Sequence, residues 1–442
     1  MGPPKKKLLT TFIDVDKPEN PVSLGGMSRE SESDRGGEAA VAPGNPVVAR
    51  RVPGKVRRLP RACAPEGCDG YYHVVSRING RARLLTDTRR EGFRELLGRV
   101  ADFCGVEVLT YCFMENHFHL LVRVPGELGE IDDEELLRRS ALLYGAPPSR
   151  GRQPLSLAGI RGALERGTAE EREAMRSLLL GRMGSLPMFV KILKQRFSLR
   201  YNREHGRLGT LWEGPFRSVL VEPTRRALSV VGAYIDLNPV RAGIVEDPKD
   251  YRFSGYGEAV GQGKPEGHVL LRRLVLLGSG VRSFGVQGSG VQGSDAGGSG
   301  GEGVVRATAG TMEVSAAEAR GSCGATDGSG GGEALREEAR EYRKLLYGEA
   351  ARTRRGGGAV VELEKAWAVE REGGKLSLAQ LLRCRVRYLT DGAVIGGKAW
   401  MEAWLRANKE TYGKRKTPPR QMRGGVWGGL CSLRDLKKDV FG

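Results

Sequence analysis

The stretch Tyr111–Val124 organises the chain, and its sequence is YCFMENHFHLLVRV. It has the character of a β-strand, in which residues i and i+2 lie on the same face. His117 and His119 therefore share one face of the predicted strand, and Phe118 points to the opposite, apolar face. Two imidazoles side by side on a rigid strand form half of a metal site or one end of a polar active-site floor. The alternative is a half-buried strand with two exposed histidines.

The composition indicates a basic protein with a polyanionic partner. The chain has 442 residues, a formal net charge of +18 and a pI near 9.7. This length suggests two or three domains, and a basic ribosomal or membrane-surface protein is the competing explanation of the charge. No apolar run is long enough to span a bilayer, and the N-terminus lacks the apolar core of a signal peptide. Seven scattered cysteines without a paired zinc motif fit reduced thiols, so we expect a cytoplasmic protein that contacts no membrane.

Composition also divides the chain into four predicted parts. Residues 1–60 are rich in proline, glycine, serine and charge, which predicts a disordered basic arm. Residues 61–260 form the main domain, interrupted by an insertion at about 126–186. Residues 261–332 are rich in glycine and serine, as in a flexible linker. Residues 333–442 predict a small, mostly helical domain, which either binds DNA through its basic clusters or serves dimerisation or scaffolding.

The main domain begins with a strand, a helix and two further strands. Tyr71–Arg77 is strand-like, and Asn79-Gly80 is a hairpin turn signal. Thr88–Cys104 has apolar residues at helical spacing, and residues 106–124 supply the next two strands. This order predicts an α+β fold in which helices pack on one side of a sheet.

A second informative stretch, 187–205, has the spacing of a basic helix that stops at Gly206. Tyr201 and His205 stand at i and i+4, so they are neighbours on this predicted helix. Tyrosine has a pKa of about 10 and becomes a useful nucleophile where a metal polarises the phosphate that it attacks. A covalent phosphotyrosine keeps the phosphodiester energy for rejoining, which points to DNA strand transfer or nicking and joining. Ordinary packing is the alternative role for Tyr201.

Four separated motifs occur in order between residues 71 and 256: Tyr72-His73-Val74, Met114-Glu115-Asn116-His117-Phe118-His119, Leu211-Trp212-Glu213-Gly214 and Tyr234-Ile235-Asp236-Leu237-Asn238-Pro239-Val240-Arg241-Ala242-Gly243. Together they resemble the IS200-like single-tyrosine transposases of the HUH endonuclease superfamily, in particular the subgroup associated with repetitive extragenic palindromes. The resemblance implies a ferredoxin-like antiparallel sheet and a metal-dependent single-stranded DNA endonuclease. It also implies attack on a phosphate beside a DNA hairpin, which leaves a 5′-phosphotyrosine and a free 3′-hydroxyl.

The resemblance implies roles for individual residues as well. His117 and His119 match the family's metal-binding pair. Tyr201 matches the helix that delivers the nucleophile, and His205 stands where the family places a polar third ligand. Basic side chains on this helix and after it are the expected DNA contacts: Lys191, Lys194, Arg196, Arg200, Arg217 and Arg241.

The third ligand and the ion are less well determined. The family commonly has an amide where this chain has His205, so Asn202 and Glu204 are the alternative ligands. We expect Trp212 and Asn238 to be mainly structural. Imidazoles suit softer ions better than Mg²⁺, so phosphate oxygens and water would complete the shell of Mg²⁺ or Mn²⁺.

Two other functions stay open from the sequence. A catalytically silent relative would bind DNA hairpins without cleaving them, and a metal-dependent RNA-processing nuclease would use the basic charge equally well. The expected partner is single-stranded or hairpin DNA. The sequence leaves open whether the protein is a homodimer and whether its tyrosine serves the histidines of its own subunit or those of a partner.

Overall fold

The computed structural model describes residues 61–145, 155–263, 267–278 and 330–348 and, nearer the C-terminus, residues 368–369, 371–372, 374–391, 393–412, 419–434 and 440–441. These residues belong to one compact unit, Leu59–Gly442. The predicted basic arm 1–60 and most of the predicted linker 261–332 lie outside the described residues. Within the described part, no helix combines the length and apolarity that crossing a bilayer requires.

The helices and strands follow one another in this order: β1 (Gly70–Arg77), α1 (Asp87–Cys104), β2 (Glu107–Phe113), β3 (His117–Val124), α2 (Asp133–Tyr144), α3 (Leu157–Arg166), α4 (Ala169–Leu180), α5 (Leu186–Glu204), β4 (Arg217–Val221), α6 (Arg225–Asp236), α7 (Asn238–Arg241), α8 (Gly255–Gly261), α9 (Val269–Gly278), α10 (Gly330–Tyr347), α11 (Leu378–Arg383), α12 (Tyr388–Asp391), β5 (Val394–Gly397), α13 (Lys398–Ala407), α14 (Lys409–Tyr412), β6 (Arg420–Gln421) and β7 (Leu430–Ser432).

The first four strands form an antiparallel sheet. Their order across the sheet is β2-β3-β1-β4, with β3 paired to both β1 and β2 and with β4 paired to β1. Because α1 connects β1 to β2 while β3 lies between these strands, the arrangement is the split βαβ unit of a ferredoxin-like sheet. The predicted α+β class and the antiparallel ferredoxin-like sheet are therefore confirmed.

The face of the sheet that carries Phe118 is apolar, and α1 and α5 cover it. The ring centroid of Phe93 on α1 lies 5.0 Å from that of Phe113, 5.4 Å from that of Phe118 and 5.0 Å from that of Phe197 on α5. Such clusters combine a large buried apolar area with favourable edge-to-face ring contacts. The segment expected as an insertion contains α2, α3 and α4, and α2 packs against α1.

A second helical layer covers the opposite face, which carries His117 and His119. The helix α6 packs against β2 and β3, and the Thr110 hydroxyl donates to the buried Asp236 carboxylate at 2.8 Å. The Tyr342 hydroxyl of α10 donates to the other oxygen of Asp236 at 2.6 Å, which joins α10 to α6. The sequence predicted helices on one side, and the structure adds this second layer. It is possible because α6 is buried on all sides from Ala227 to Asp236.

The residues after 330 complete the sheet of the main domain. The strand β5 pairs in parallel with β4, and β7 and β6 follow it, which gives a sheet of seven strands. We expected a small, mostly helical domain here. The helices are present, but strands of 4, 2 and 3 residues are too short to show an alternating pattern in the sequence. The helix α12 packs against β4 and β1, which brings the C-terminal segment to the histidine face.

Candidate active site

The strands β1 and β3 place three histidines in a row on one face of the sheet. His73 pairs with Leu121 and Val75 pairs with His119, so His73 and His119 are diagonal neighbours. Their ring centroids are 5.1 Å apart, and Nε2 of His73 lies 2.9 Å from Nδ1 of His119. The His117 ring centroid lies 5.1 Å from that of His119. The two predicted metal ligands are thus adjacent, and His73, which the sequence analysis did not assign to the site, extends the row.

The hydrogen bonds of His117 and His119 leave one nitrogen of each ring for a metal ion. Nδ1 of His117 donates to the side-chain oxygen of Asn116 at 2.6 Å, and Nδ1 of His119 is bonded to His73. Nε2 is therefore the nitrogen that each ring can offer. Burial, with added repulsion from nearby arginines, lowers the pKa of His117 to about 4, so its ring is neutral at pH 7 as metal binding requires.

The donor set fits a divalent ion only as part of a complex with DNA. The described residues contain no cluster of three or more His, Cys, Asp or Glu side chains that could hold a metal ion. Two neutral imidazoles would hold such an ion together with phosphate oxygens of the DNA and water. The predicted pair of ligands is thus compatible with Mg²⁺ or Mn²⁺ as an incomplete shell.

A buried tyrosine on α6 lies beside the histidines. The ring centroid of Tyr234 is 6.4 Å from that of His119 and 6.2 Å from that of His73. The guanidinium of Arg241 stands 3.8 Å from the Tyr234 ring centroid. Arg241 also donates to the Tyr234 carbonyl at 2.7 Å and to the Leu382 carbonyl at 2.8 Å, which ties α6 to the C-terminal segment. Tyr234, which exposes 2 % of its surface, is a residue of the histidine face that the sequence analysis did not select.

Three arginines give this face a positive potential. Arg77 ends β1, Arg241 ends α7, and Arg385 lies between α11 and α12 in the C-terminal segment. Burial is the largest cause of the lowered pKa of His117, and the charges of Arg77, Arg385 and Arg241 lower this pKa further. A partly buried surface of this sign attracts phosphate groups. Arg241 was a predicted DNA contact, and Arg77 and Arg385 are added by the structure.

The predicted nucleophile, Tyr201, lies on the other side of the sheet. Its ring centroid is 6.4 Å from that of Phe197, and Phe197 belongs to the aromatic cluster around Phe118. Since Phe118 and its neighbours His117 and His119 point to opposite faces of β3, the sheet separates Tyr201 from both histidines. The structure therefore contradicts the assignment of Tyr201 to their site.

The predicted third ligand, His205, is also elsewhere. The helix α5 ends at Glu204, and His205 is its C-cap residue. Its ring stacks on Tyr201 with centroids 4.1 Å apart, on the same side as the apolar cluster. Nδ1 donates to the Tyr201 carbonyl at 2.8 Å, and Nε2 accepts from Arg89 at 2.7 Å. Both nitrogens of His205 are thus used within the protein, which contradicts its assignment as a ligand of the His117–His119 site.

All four arginines predicted to contact DNA have partners within the protein. Their contacts are these: Arg196 with the Leu143 carbonyl at 2.8 Å, Arg200 with Glu204 at 2.9 Å, Arg217 with Asp391 at 2.8 Å, and Arg241 with two carbonyls. Arg196 and Arg241 are thus held by internal carbonyl groups, whereas Arg200 and Arg217 keep 61 % and 71 % of their side chains exposed beside their acidic partners.

The two predicted lysines line an open groove beside α5. The groove has a volume of about 500 Å³. Lys191 is exposed, whereas Nζ of Lys194 donates to the Gly214 carbonyl at 2.9 Å and lies 5.4 Å from the Trp212 ring centroid. Burial lowers the pKa of Lys194 to about 8. The groove combines basic and aromatic groups, but it lies on the side of Tyr201 and away from the histidines.

Comparison with known proteins assigns the part of the chain that carries the histidine row. Residues 68–129 match the family model described as "Transposase IS200 like", and this segment contains β1, α1, β2 and β3. A solved structure of a REP-associated tyrosine transposase bound to a REP hairpin is 17 % identical in sequence, with 47 % of this chain and 84 % of that chain covered and a TM-score of 0.28. No curated protein matches the chain. Residues 68–129, which include the histidine strand, are therefore similar to IS200-like transposases.

Proposed function

We propose that this protein is a metal-dependent, single-stranded DNA transposase that nicks and rejoins DNA beside hairpins, with Tyr234 as its nucleophile. One observation carries the proposal: Tyr234 shares the histidine face of the sheet, with its ring 6.4 Å from that of His119. Tyr201 lies on the basic helix α5, on the opposite side of the sheet from His117 and His119. A tyrosine nucleophile needs a site that neutralises phosphate charge, and the face of His117 and His119 offers two histidine nitrogens for a metal ion together with nearby arginines.

The reaction transfers a phosphoryl group from a DNA 3′-oxygen to the tyrosine. The Tyr234 oxygen forms a bond to the scissile phosphorus, and the bond between phosphorus and the 3′-oxygen breaks. The phenolic proton passes to solvent water, and the departing 3′-oxygen becomes a hydroxyl. A divalent ion held by His117 and His119 would draw charge from the non-bridging phosphate oxygens. The reverse attack by a 3′-hydroxyl rejoins DNA and releases Tyr234.

The arginines supply the rest of the charge that phosphate needs. Arg77 and Arg385 lie close enough to His117 to lower its pKa, so a phosphate bound at His117 also feels their charge. Arg241 keeps the Tyr234 ring in place through its contact with the ring and the carbonyl. Because Tyr234 exposes 2 % of its surface, attack requires that its side chain or the segment that covers it moves when DNA binds.

Lys191 and Lys194 remain candidates for DNA contacts outside the reaction centre. Their groove contains the exposed ammonium of Lys191 and aromatic side chains. Proteins that bind single-stranded DNA use basic groups to contact the backbone and aromatic rings to stack on the bases. In this proposal they raise affinity without taking part in cleavage.

The test is the formation of a covalent adduct by matched tyrosine variants. Purified protein would be mixed with labelled single-stranded hairpin DNA from beside its own gene and Mn²⁺ or Mg²⁺, and separated on a denaturing gel. We expect a metal-dependent adduct in the wild type and in Tyr201→Phe, and none in Tyr234→Phe. Both tyrosines are buried, so Tyr201→Phe controls for the loss of a buried hydroxyl.

Each other outcome overturns a defined part of the proposal. An adduct lost in Tyr201→Phe and kept in Tyr234→Phe returns the nucleophile to α5. Tight hairpin binding without adduct or cleavage favours a silent DNA-binding protein. Cleavage of RNA without an adduct favours a processing nuclease.

A further inference from the structure

His73 connects the C-terminal segment to the histidine pair. Its Nδ1 lies 2.6 Å from the carbonyl oxygen of Leu389 in α12, and its Nε2 lies 2.9 Å from Nδ1 of His119. The two imidazole planes are inclined by 25° with centroids 5.1 Å apart, which fits an edge-on hydrogen bond in the ring planes. His73 and His119 expose 1 % and 4 % of their surface, so water does not compete for these bonds.

These contacts determine where the protons lie. A carbonyl oxygen can only accept, so Nδ1 of His73 carries the proton that it donates to Leu389. The His73 ring is buried between an uncharged carbonyl and a second imidazole, and an isolated buried charge is costly, so the ring is neutral and its Nε2 has a lone pair. That nitrogen can only accept, so Nδ1 of His119 must be its donor. His119 is buried as well, and a neutral imidazole has a single N–H, so with its proton on Nδ1 its Nε2 has none.

We propose that His73 is a positioning residue which, held by the Leu389 carbonyl, fixes His119 in the tautomer that presents Nε2 to a divalent metal ion. The proposal rests on the proposed function in that it assigns His119 as a ligand. It gives the C-terminal segment a role inside the active site instead of a role as a separate DNA-binding module.

The tautomer matters because a proton on Nε2 would block the nitrogen that faces the site. In water the neutral imidazole populates both tautomers, and a fixed donor–acceptor chain selects one of them. Outer hydrogen-bond partners of this kind typically change metal affinity by 10–100-fold when they are removed. His117 has the equivalent partner in Asn116, at 2.6 Å, so the two ligands are oriented by different parts of the chain.

The first test needs neither DNA nor metal. Nitrogen NMR of protein with ¹⁵N-labelled histidine rings distinguishes a protonated from an unprotonated ring nitrogen at pH 7. We expect His119 with its proton on Nδ1 and His73 with its proton on Nδ1. A His119 signal with the proton on Nε2 would overturn the proposal without any variant.

The second test measures metal affinity in matched variants. His73→Gln keeps an amide donor for Leu389 and an oxygen acceptor for His119, whereas His73→Leu removes both. We expect Mn²⁺ binding in the presence of hairpin DNA, followed by electron paramagnetic resonance, to weaken about 10–100-fold in His73→Leu and by less than about threefold in His73→Gln. His268→Leu, which removes a buried histidine outside the row, controls for the loss of a buried ring and should bind Mn²⁺ like the wild type.

The experiments distinguish failure of the positioning role of His73 from failure of the proposed transposase function. Equal Mn²⁺ affinity in wild type and folded His73→Leu, with folding verified by circular dichroism, contradicts the positioning role of His73. If His73→Leu does not fold, the wild-type tautomer and the His73→Gln affinity decide. An adduct that survives Tyr234→Phe contradicts the proposed nucleophile but leaves the tautomer measurement unaffected.

Discussion

The two faces of the central sheet contain similar side chains in different surroundings. On the apolar face, Tyr201 lies next to His205, with the Arg89 guanidinium 4.8 Å from its ring centroid. On the other face, Tyr234 lies near His119, with the Arg241 guanidinium 3.8 Å from its ring centroid. A tyrosine, a histidine and an arginine therefore meet twice in one molecule.

What separates the two sets is the use of their polar atoms. Both nitrogens of His205 are hydrogen-bonded within the protein, so the ring closes the end of α5. Among the residues that the structure describes, His117 and His119 use only Nδ1 in such bonds, which leaves each Nε2 for a ligand. Residue types alone thus do not identify the site. The site is identified by the polar atoms that remain available to a ligand after folding.

The largest expected difference is between His119→Ala and His205→Ala. Loss of a metal ligand should reduce adduct formation by more than about 100-fold, because even the outer partners of ligands are worth 10–100-fold. His205→Ala should change the rate by less than about threefold. Single-turnover rates with hairpin DNA and Mn²⁺ measure both. Equal, severe losses would mean that the two faces act together.

The next expected effect is on stability at low pH. Burial lowers the pKa of His73 to about 4, so the neutral ring contributes to the free energy of unfolding above pH 6.5. This contribution is lost as the pH falls toward 4. At pH 5 the loss is about 2 kcal/mol relative to pH 7.5. Burial raises the pKa of Asp236 to about 7, so this group has the opposite sign and gains stability as pH falls.

Urea denaturation at the two pH values separates these contributions. His73→Gln should lose about 2 kcal/mol less than the wild type on acidification, since it lacks the titrating ring. An unchanged pH dependence in His73→Gln would show that His73 does not carry this effect.

The smallest expected effect distinguishes Arg241 from Arg196. Each donates to a backbone carbonyl at 2.8 Å and stands over a tyrosine ring, but on different faces. Lysine cannot reproduce the guanidinium contacts, so either Arg→Lys change should cost about 1 kcal/mol of unfolding free energy. Only Arg241→Lys should also slow adduct formation, by about fivefold, because it moves the Tyr234 ring. Slowing by Arg196→Lys to the same extent would contradict a role specific to the histidine face.

The histidine strand was predictable because its signal is local. The spacing of His117, Phe118 and His119 decides which side chains share a face, and the order of strands and helix around them predicted an α+β sheet. The ferredoxin-like form of that sheet was implied by the family resemblance. The side of the sheet that each helix covers is a tertiary property, and the sequence does not contain it in periodic form. Tyr201 was selected from its basic helix, whereas Phe197 of that same helix joins it to the apolar side, in the aromatic cluster of Phe93 and Phe118.

Tyr234 did leave a signal that the sequence analysis did not use. It stands one helical turn before Asn238, in a helix that is apolar from Ala227 to Ile235 except for Ser229, and Arg241 follows close by. A tyrosine that begins one of the motifs carrying the family resemblance is a stronger candidate than a tyrosine chosen for the basic residues of its helix. The hydrogen bond from His73 to Leu389 left no signal in the sequence, because every residue type has the same backbone carbonyl group.

The hydrogen bond between His73 and Leu389 joins residues that are 316 positions apart. At ribosomal speeds, roughly 15–60 s separate the synthesis of these two residues. Under the proposed function, a nascent or prematurely terminated chain already contains its histidines and its tyrosine but lacks the piece that prepares them for metal. Metal binding at full affinity would then require the complete chain, so that incomplete fragments of the protein cleave DNA poorly.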